Sequence, residues 1–85
     1  MFFTLFDAMT AKYLLELNKN GNTFVVILWD KRTPEDIKEI TRFETKRYYE
    51  AEGIFNLYAK RYNLSHMVKK VDNTDVYNYI ESQHD

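Results

Sequence analysis

Two carboxylates and a lysine form a candidate reactive group: Asp30, at the end of an apolar run, and Glu44 and Lys46 further along the chain. Two carboxylates can hold a divalent cation, and a lysine beside them can position or activate a water molecule. This chemistry requires the three groups to converge in space. Whether they do depends on how residues 31–43 fold.

The order Asp, then Glu-x-Lys, resembles the arrangement in PD-(D/E)xK-type metal-dependent nucleases. The resemblance implies that Asp30 and Glu44 would hold a divalent cation and that Lys46 would act on water. It covers these three positions alone, and a helix predicted after Pro34 lies where that fold would run directly between two strands. We therefore predict a protein with no catalytic residue, no metal site and no cofactor, and keep the nuclease as a minor alternative.

Other reactive groups are scarce. The chain has no cysteine, which excludes disulfides, thiolate metal sites and cysteine nucleophiles. The N-terminus carries no basic residue before its apolar run, and Asp7 ends that run too early for a signal peptide. We expect a cytoplasmic protein that does not bind a membrane.

The net charge of −1 conceals two segments of opposite sign. Residues 46–71 carry six basic and two acidic side chains, whereas residues 72–85 carry four acidic and no basic ones. Basic and aromatic side chains together are typical of nucleic-acid binding, in which cations neutralise phosphates and rings stack on bases. The candidate residues for this alternative function are Lys46, Arg47, Lys60, Arg61, Lys69 and Lys70.

A helix predicted over residues 46–62, capped by Thr45, positions a different candidate surface. At about 100° per residue, one wide face collects apolar side chains that should pack on a sheet: Tyr48, Ala51, Ile54, Phe55, Tyr58, Ala59 and Tyr62. On the other side, Tyr49, Gly53 and Leu57 follow each other at intervals of four residues and form a second apolar stripe. The stripe is either a docking surface or core covered by the N-terminal segment or a C-terminal helix.

Local sequence patterns predict the strands and helices of the rest of the chain. Asn20-Gly21 between two apolar runs predicts a β-hairpin over residues 12–30. The continuous apolar run Phe24–Trp29 indicates a strand that is central or covered on both faces. Residues 2–9 fit either a strand or a short helix.

Thr33 and Pro34 predict the start of a helix that buries Ile37 and Ile40 and ends near Thr41, followed by an extended segment up to Glu44. One bent helix over residues 34–62 is the alternative. After the main helix, residues 65–71 should be extended. Residues 72–75 should form either a turn or the cap of a last helix that carries Val76, Tyr77 and Ile80, and the helix is preferred; residues 82–85 should fray.

These patterns predict a small α+β domain over residues 1–85, with an antiparallel sheet around the hairpin packed on one main helix and one or two short helices. We expect a non-enzymatic binding or regulatory protein that docks on a protein partner, in the style of an inhibitor from a phage or mobile element. A homodimer is a further expectation. The partner-binding residues predicted are Tyr49, Gly53, Leu57, Lys46, Lys60 and Arg61.

Overall fold

The computed structural model describes residues 2–71. Five strands, one α-helix and one short 3₁₀ turn make up this part of the chain. In chain order they are β1 (Phe2–Met9), β2 (Tyr13–Asn20), β3 (Thr23–Asp30), β4 (Lys38–Thr45), α1 (Tyr48–Arg61), the 3₁₀ turn Ser65–Met67 and β5 (Val68–Lys70).

The five strands form one antiparallel sheet in the order β4-β3-β2-β1-β5, and α1 packs on one face of it. The core lies between that face and the helix, where the apolar side chains of both are removed from water. Its buried members are Leu5, Ala8, Leu15, Leu17, Phe24, Val26, Leu28, Ala51, Phe55, Ala59 and Leu64. The predicted small α+β fold is confirmed.

The β2–β3 hairpin is also confirmed, with its turn one residue later than the Asn-Gly pair suggested. Asn20 pairs with Thr23, so Gly21 and Asn22 form the two-residue turn. Gly21 has a φ of 62°, and Asn22 does not have a positive φ. A positive φ at the first turn position alone is the pattern of a type II′ turn, which requires glycine there.

Strand β3 is central, as its apolar run predicts. It pairs with β2 on one side and β4 on the other, and its residues from Phe24 to Leu28 are buried whichever face they occupy. Residues 2–9, which fitted two alternatives, form strand β1, with a bulge between Thr4 and Phe6.

The helix predicted after Thr33 is wrong, and so is the alternative of one helix over residues 34–62. The chain makes a turn at Thr33, whose carbonyl accepts a hydrogen bond from the Asp36 N–H at 2.9 Å, and then enters strand β4. Ile37 and Ile40, predicted as buried, are 50% and 42% exposed. A helix here would have buried little more than these two isoleucines. Pairing with the free edge of β3 instead satisfies the backbone hydrogen bonds of the segment.

Helix α1 has the predicted core face, because Ala51, Phe55 and Ala59 are buried against the sheet. It begins at Tyr48 rather than Lys46, and Thr45 does not cap it. Thr45 is the last residue of β4, and its hydroxyl accepts a hydrogen bond from the Arg47 backbone N–H at 3.1 Å.

Asn63 ends the helix in the left-handed conformation, with φ of 59°. The Leu64 N–H donates to the Ala59 carbonyl at 2.7 Å, and the Asn63 N–H donates to the Lys60 carbonyl at 3.3 Å. This is a Schellman motif, with Leu64 and Ala59 both buried beside each other in the core. It turns the chain back toward the sheet.

The segment after α1, residues 65–71, was predicted as extended and is extended in part. Ser65–Met67 forms the 3₁₀ turn, and Val68–Lys70 pairs antiparallel with β1. The predicted last helix over residues 76–80 and the frayed end lie outside the described residues. Within residues 2–71, no helix has the length and apolar character needed to cross a membrane.

Candidate protein-docking surface on helix α1

The side of α1 that faces away from the sheet carries the predicted apolar stripe. The side chains of Tyr49 and Leu57 are 62% and 47% exposed. Gly53 lies between them on the helix surface. Apart from its chain neighbours and the surrounding helix backbone, no described atom lies within 4 Å of the position that a Cβ would occupy there. We call Tyr49, Gly53 and Leu57, with the charged residues around them, the outer face of α1.

Within residues 2–71 the fold does not use this stripe as core, and the predicted C-terminal helix, the other element that could cover it, lies outside the described residues. The same helix already buries Ala51, Phe55 and Ala59, and Ile54, Tyr58 and Tyr62 pack at the edges of that cluster, as predicted. Among residues 2–71, therefore, neither β1 nor any other element covers the stripe. The alternative in which the N-terminal segment makes it core is wrong, because residues 2–9 are a strand of the sheet.

The Tyr49 ring has a defined setting on this face. Tyr48 packs edge-on against Phe24, with ring centroids 5.5 Å apart, and its hydroxyl donates a hydrogen bond to Glu52 Oε2 at 3.0 Å. The Tyr49 ring packs edge-on against Tyr48 at 6.0 Å. Such edge-to-face contacts stabilise the position of the Tyr49 ring while much of its surface remains exposed.

Charged side chains flank the stripe. Lys60 and Arg61 are exposed one turn beyond Leu57, in the last turn of the helix, where the helix dipole favours positive charge. Lys46 is exposed just before the helix begins, and Glu50 is the acidic residue of the first turn. The rim of the outer face therefore carries more positive than negative charge.

The six basic residues proposed for nucleic acid are all exposed, but they do not form one patch. Arg47 precedes the helix and Arg61 ends it, and 14 helical residues span about 21 Å. Lys69 and Lys70 lie on β5 at the edge of the sheet, opposite Asp7 and Phe6 of β1, so their side chains point to opposite faces.

The three residues that resemble a nuclease site do not converge. Glu44 pairs with Val25, five residues along β3 from Asp30, which places the two carboxylates about 17 Å apart at a rise of about 3.3 Å per residue. They also lie on opposite faces of the sheet, because their β3 positions differ by an odd number of residues. Among the described residues there is no group of three side chains that could hold a metal ion.

Asp30 is instead paired with Arg32. The guanidinium donates to both carboxylate oxygens at distances of 2.7 to 3.1 Å, and the Arg32 backbone N–H donates to Oδ1 at 2.9 Å. These hydrogen bonds lower the pKa of Asp30 from 3.8 to about 2. The pair ties the end of β3 to the loop that follows it.

Comparison of the chain with known proteins identified no relative. No protein-family model matches the chain, and no curated protein or solved structure matches it significantly.

Proposed function

We propose that this protein is a non-enzymatic binding protein that docks on a protein partner through the outer face of α1. The observation that supports the proposal is the exposed apolar stripe on a helix whose opposite side already packs on the core. Exposed apolar residues that recur on one helix face are typical of helix-mediated recognition. A single exposed leucine would carry no such weight.

The chemistry of the rim indicates the kind of partner. Lys46, Lys60 and Arg61 outnumber Glu50 around the stripe, so a complementary surface combines an apolar strip with acidic side chains. Charge complementarity of this kind mainly accelerates association and selects the partner, while the desolvated apolar centre supplies most of the affinity.

Gly53 shapes the middle of the surface. A glycine in the interior of a helix destabilises it by about 0.5–1 kcal/mol relative to alanine. Within the described residues nothing in the fold requires this glycine. A partner element that approaches the helix backbone between Tyr49 and Leu57 gives it a use, because the missing side chain permits a closer contact.

We further propose that docking occludes the partner and so regulates it, and that this takes place in the cytoplasm. Occlusion requires no chemistry from the docking protein. Asn, Lys, Tyr, Ile and Phe make up 33 of the 85 residues, a bias that is common in small phage and mobile-element proteins. Our proposal that the protein is an inhibitor combines a source of this kind with the docking surface on α1.

The test compares baits in a pull-down from the native host, followed by binding measurements with the purified partner. Wild type should retain a protein that the double variant Tyr49→Ala, Leu57→Glu loses. Ile37→Glu is the matched control, because Ile37 is also an exposed apolar residue, at 50%, but lies in the loop before β4. The control should bind as wild type does.

Circular dichroism should show that the double variant keeps its fold, and unfolding would show that the stripe belongs to the core. Equal binding by wild type and the double variant would refute the proposal. A gel shift with single- and double-stranded nucleic acid distinguishes the alternative function: binding that weakens steeply with salt and is lost on substitution of Lys60 and Arg61 would replace protein docking with nucleic-acid binding.

A further inference from the structure

Strand β4 forms one edge of the sheet and is eight residues long. Among the described residues its only strand partner is β3. The opposite edge is different, because the short strand β5 covers Phe6–Ala8 of β1. An edge strand of this length presents a row of backbone donors and acceptors that can pair with another strand.

The part of β4 that pairs regularly with β3 reads Thr41-Arg42-Phe43-Glu44-Thr45. A bulge between Leu28 and Trp29 ends this regular stretch on the N-terminal side. The five residues are self-complementary in antiparallel pairing centred on Phe43. Thr41 then lies opposite Thr45 of a second copy, Arg42 opposite its Glu44, and Phe43 opposite its Phe43.

From this self-complementarity, we propose that the protein forms a symmetric dimer by antiparallel pairing of β4 with β4 of a second copy. The dimer joins the two five-stranded sheets into one continuous sheet. A closed two-fold arrangement of this kind uses the same patch on both copies and leaves neither β4 edge unpaired.

The charges select the register within the regular stretch. Arg42 and Glu44 project from the sheet face opposite α1, with side chains 42% and 57% exposed. Along β4, the backbone N–H and C=O groups of every second residue point toward the open edge. In a symmetric antiparallel pair these groups meet only when the two-fold axis passes beside a residue and not between two residues. Centring it on Arg42 or Glu44 places like charges opposite each other, whereas centring it on Phe43 gives two Arg–Glu pairs.

Arg42 is already held in position for this contact. Its guanidinium donates to Glu39 Oε1 at 2.8 and 3.0 Å, and it lies 3.8 Å from Glu44 Oε1 of its own chain. These exposed pairs contribute little to the monomer, since surface ion pairs are screened by water and salt. A second copy adds a carboxylate on the open side of the same guanidinium.

The experiment measures the molar mass of the full chain by sedimentation equilibrium as a function of concentration. Wild type should dimerise, and either Arg42→Glu or Glu44→Arg should raise the dimer Kd at least about tenfold, because each variant puts like charges in both cross-strand pairs. An equimolar mixture of the two variants should form a heterodimer, because two acidic side chains on one copy then face two basic side chains on the other. The double variant Arg42→Glu, Glu44→Arg should dimerise as wild type does.

Glu35→Arg is the matched control, because it makes the same charge change as Glu44→Arg in the exposed loop before β4, and its dimer Kd should not change. A wild type that stays monomeric at every concentration overturns the proposal. So does a dimer that the single variants leave intact, because that dimer uses another surface. The variant Tyr49→Ala, Leu57→Glu should still dimerise, so loss of partner docking and loss of the dimer are separable.

Discussion

Replacing Gly53 with alanine separates the stability of the fold from its proposed binding. Gly53 lies in the interior of α1 and its φ is not positive. Apart from its chain neighbours and the surrounding helix backbone, no described atom lies within 4 Å of an added Cβ. The methyl group therefore meets no strain. Alanine is favoured over glycine in a helix interior by about 0.5–1 kcal/mol, so Gly53→Ala should stabilise the protein by that amount.

This stabilisation should raise the melting temperature by about 2–8 °C in a domain of this size. Binding should change in the opposite direction. If a partner element packs closely against the glycine, the added methyl group overpacks that contact at a cost of about 1–3 kcal/mol, which raises Kd roughly 5- to 150-fold.

The two effects are measured by thermal unfolding monitored by circular dichroism and by titration calorimetry with the partner recovered by wild type. Asn56→Ala is the control, since it also raises helix propensity at an exposed position of α1 but adds no bulk. It should stabilise the fold and leave Kd unchanged. A lower melting temperature for Gly53→Ala would contradict this prediction, because it would mean that position 53 is in close contact within the folded chain.

Two further predictions concern polar contacts in the sheet. In an NMR titration the Asp30 carboxyl should have a midpoint near 2, and Arg32→Ala should return it toward 3.8. Because the pKa of Asp30 is lower in the folded state than in the unfolded state, the stability contributed by this pair is complete above pH 3.8 and should be lost as the pH falls toward 2. An unchanged midpoint in Arg32→Ala would contradict this prediction. Thr4 Oγ1 donates to the buried Asn18 Oδ1 at 2.7 Å, and Asn18 Nδ2 has no hydrogen-bond partner among the described residues. Thr4→Val should therefore cost about 1–3 kcal/mol in urea unfolding, and adding Asn18→Leu should recover most of that loss; simple additivity would refute a coupled pair.

The elements that could be predicted from the sequence are those whose signals agree over a short span. The apolar run of β3 and the Gly21 turn indicate the same hairpin, and the spacing of Ala51, Phe55 and Ala59 indicates a helix with one buried face. Each of these local preferences is also what the tertiary structure uses.

Residues 33–41 show the opposite case. Thr33, Pro34 and the acidic residues after them are good helix-start signals, but Ile37 and Ile40 have no apolar surface to pack on. The local pattern of this segment cannot predict that it pairs with β3, because that pairing joins parts of the chain that are distant in sequence. Strand pairing therefore overrides the capping signals.

The extended segment predicted up to Glu44 is confirmed as part of β4, but no local pattern showed that this strand lies at the edge of the sheet. Over residues 41–45 the alternation of partly buried and exposed side chains is that of a strand with one face on the core. Once this segment is a strand, its self-complementary order becomes meaningful. Likewise, the distance between Asp30 and Glu44 depends on the register of β3 and β4, which the spacing in the sequence does not determine.

The helix stripe was predictable in position but not in exposure. A helical wheel places Tyr49, Gly53 and Leu57 together, yet only the course of β1 through the sheet shows that the N-terminal segment does not lie over them. Exposure is the property that gives the stripe its proposed function. It depends on contacts between distant parts of the chain.

The two proposed surfaces are geometrically compatible. A two-fold axis through paired β4 strands is perpendicular to the sheet, so both α1 helices lie on the same side of the joined sheet and both outer faces point the same way. A dimer would then engage a partner that has two sites with an affinity above that of one face, whereas a single-site partner would gain nothing. Loss of avidity in Arg42→Glu, with single-site affinity retained, would link the edge of the sheet to the function of the helix.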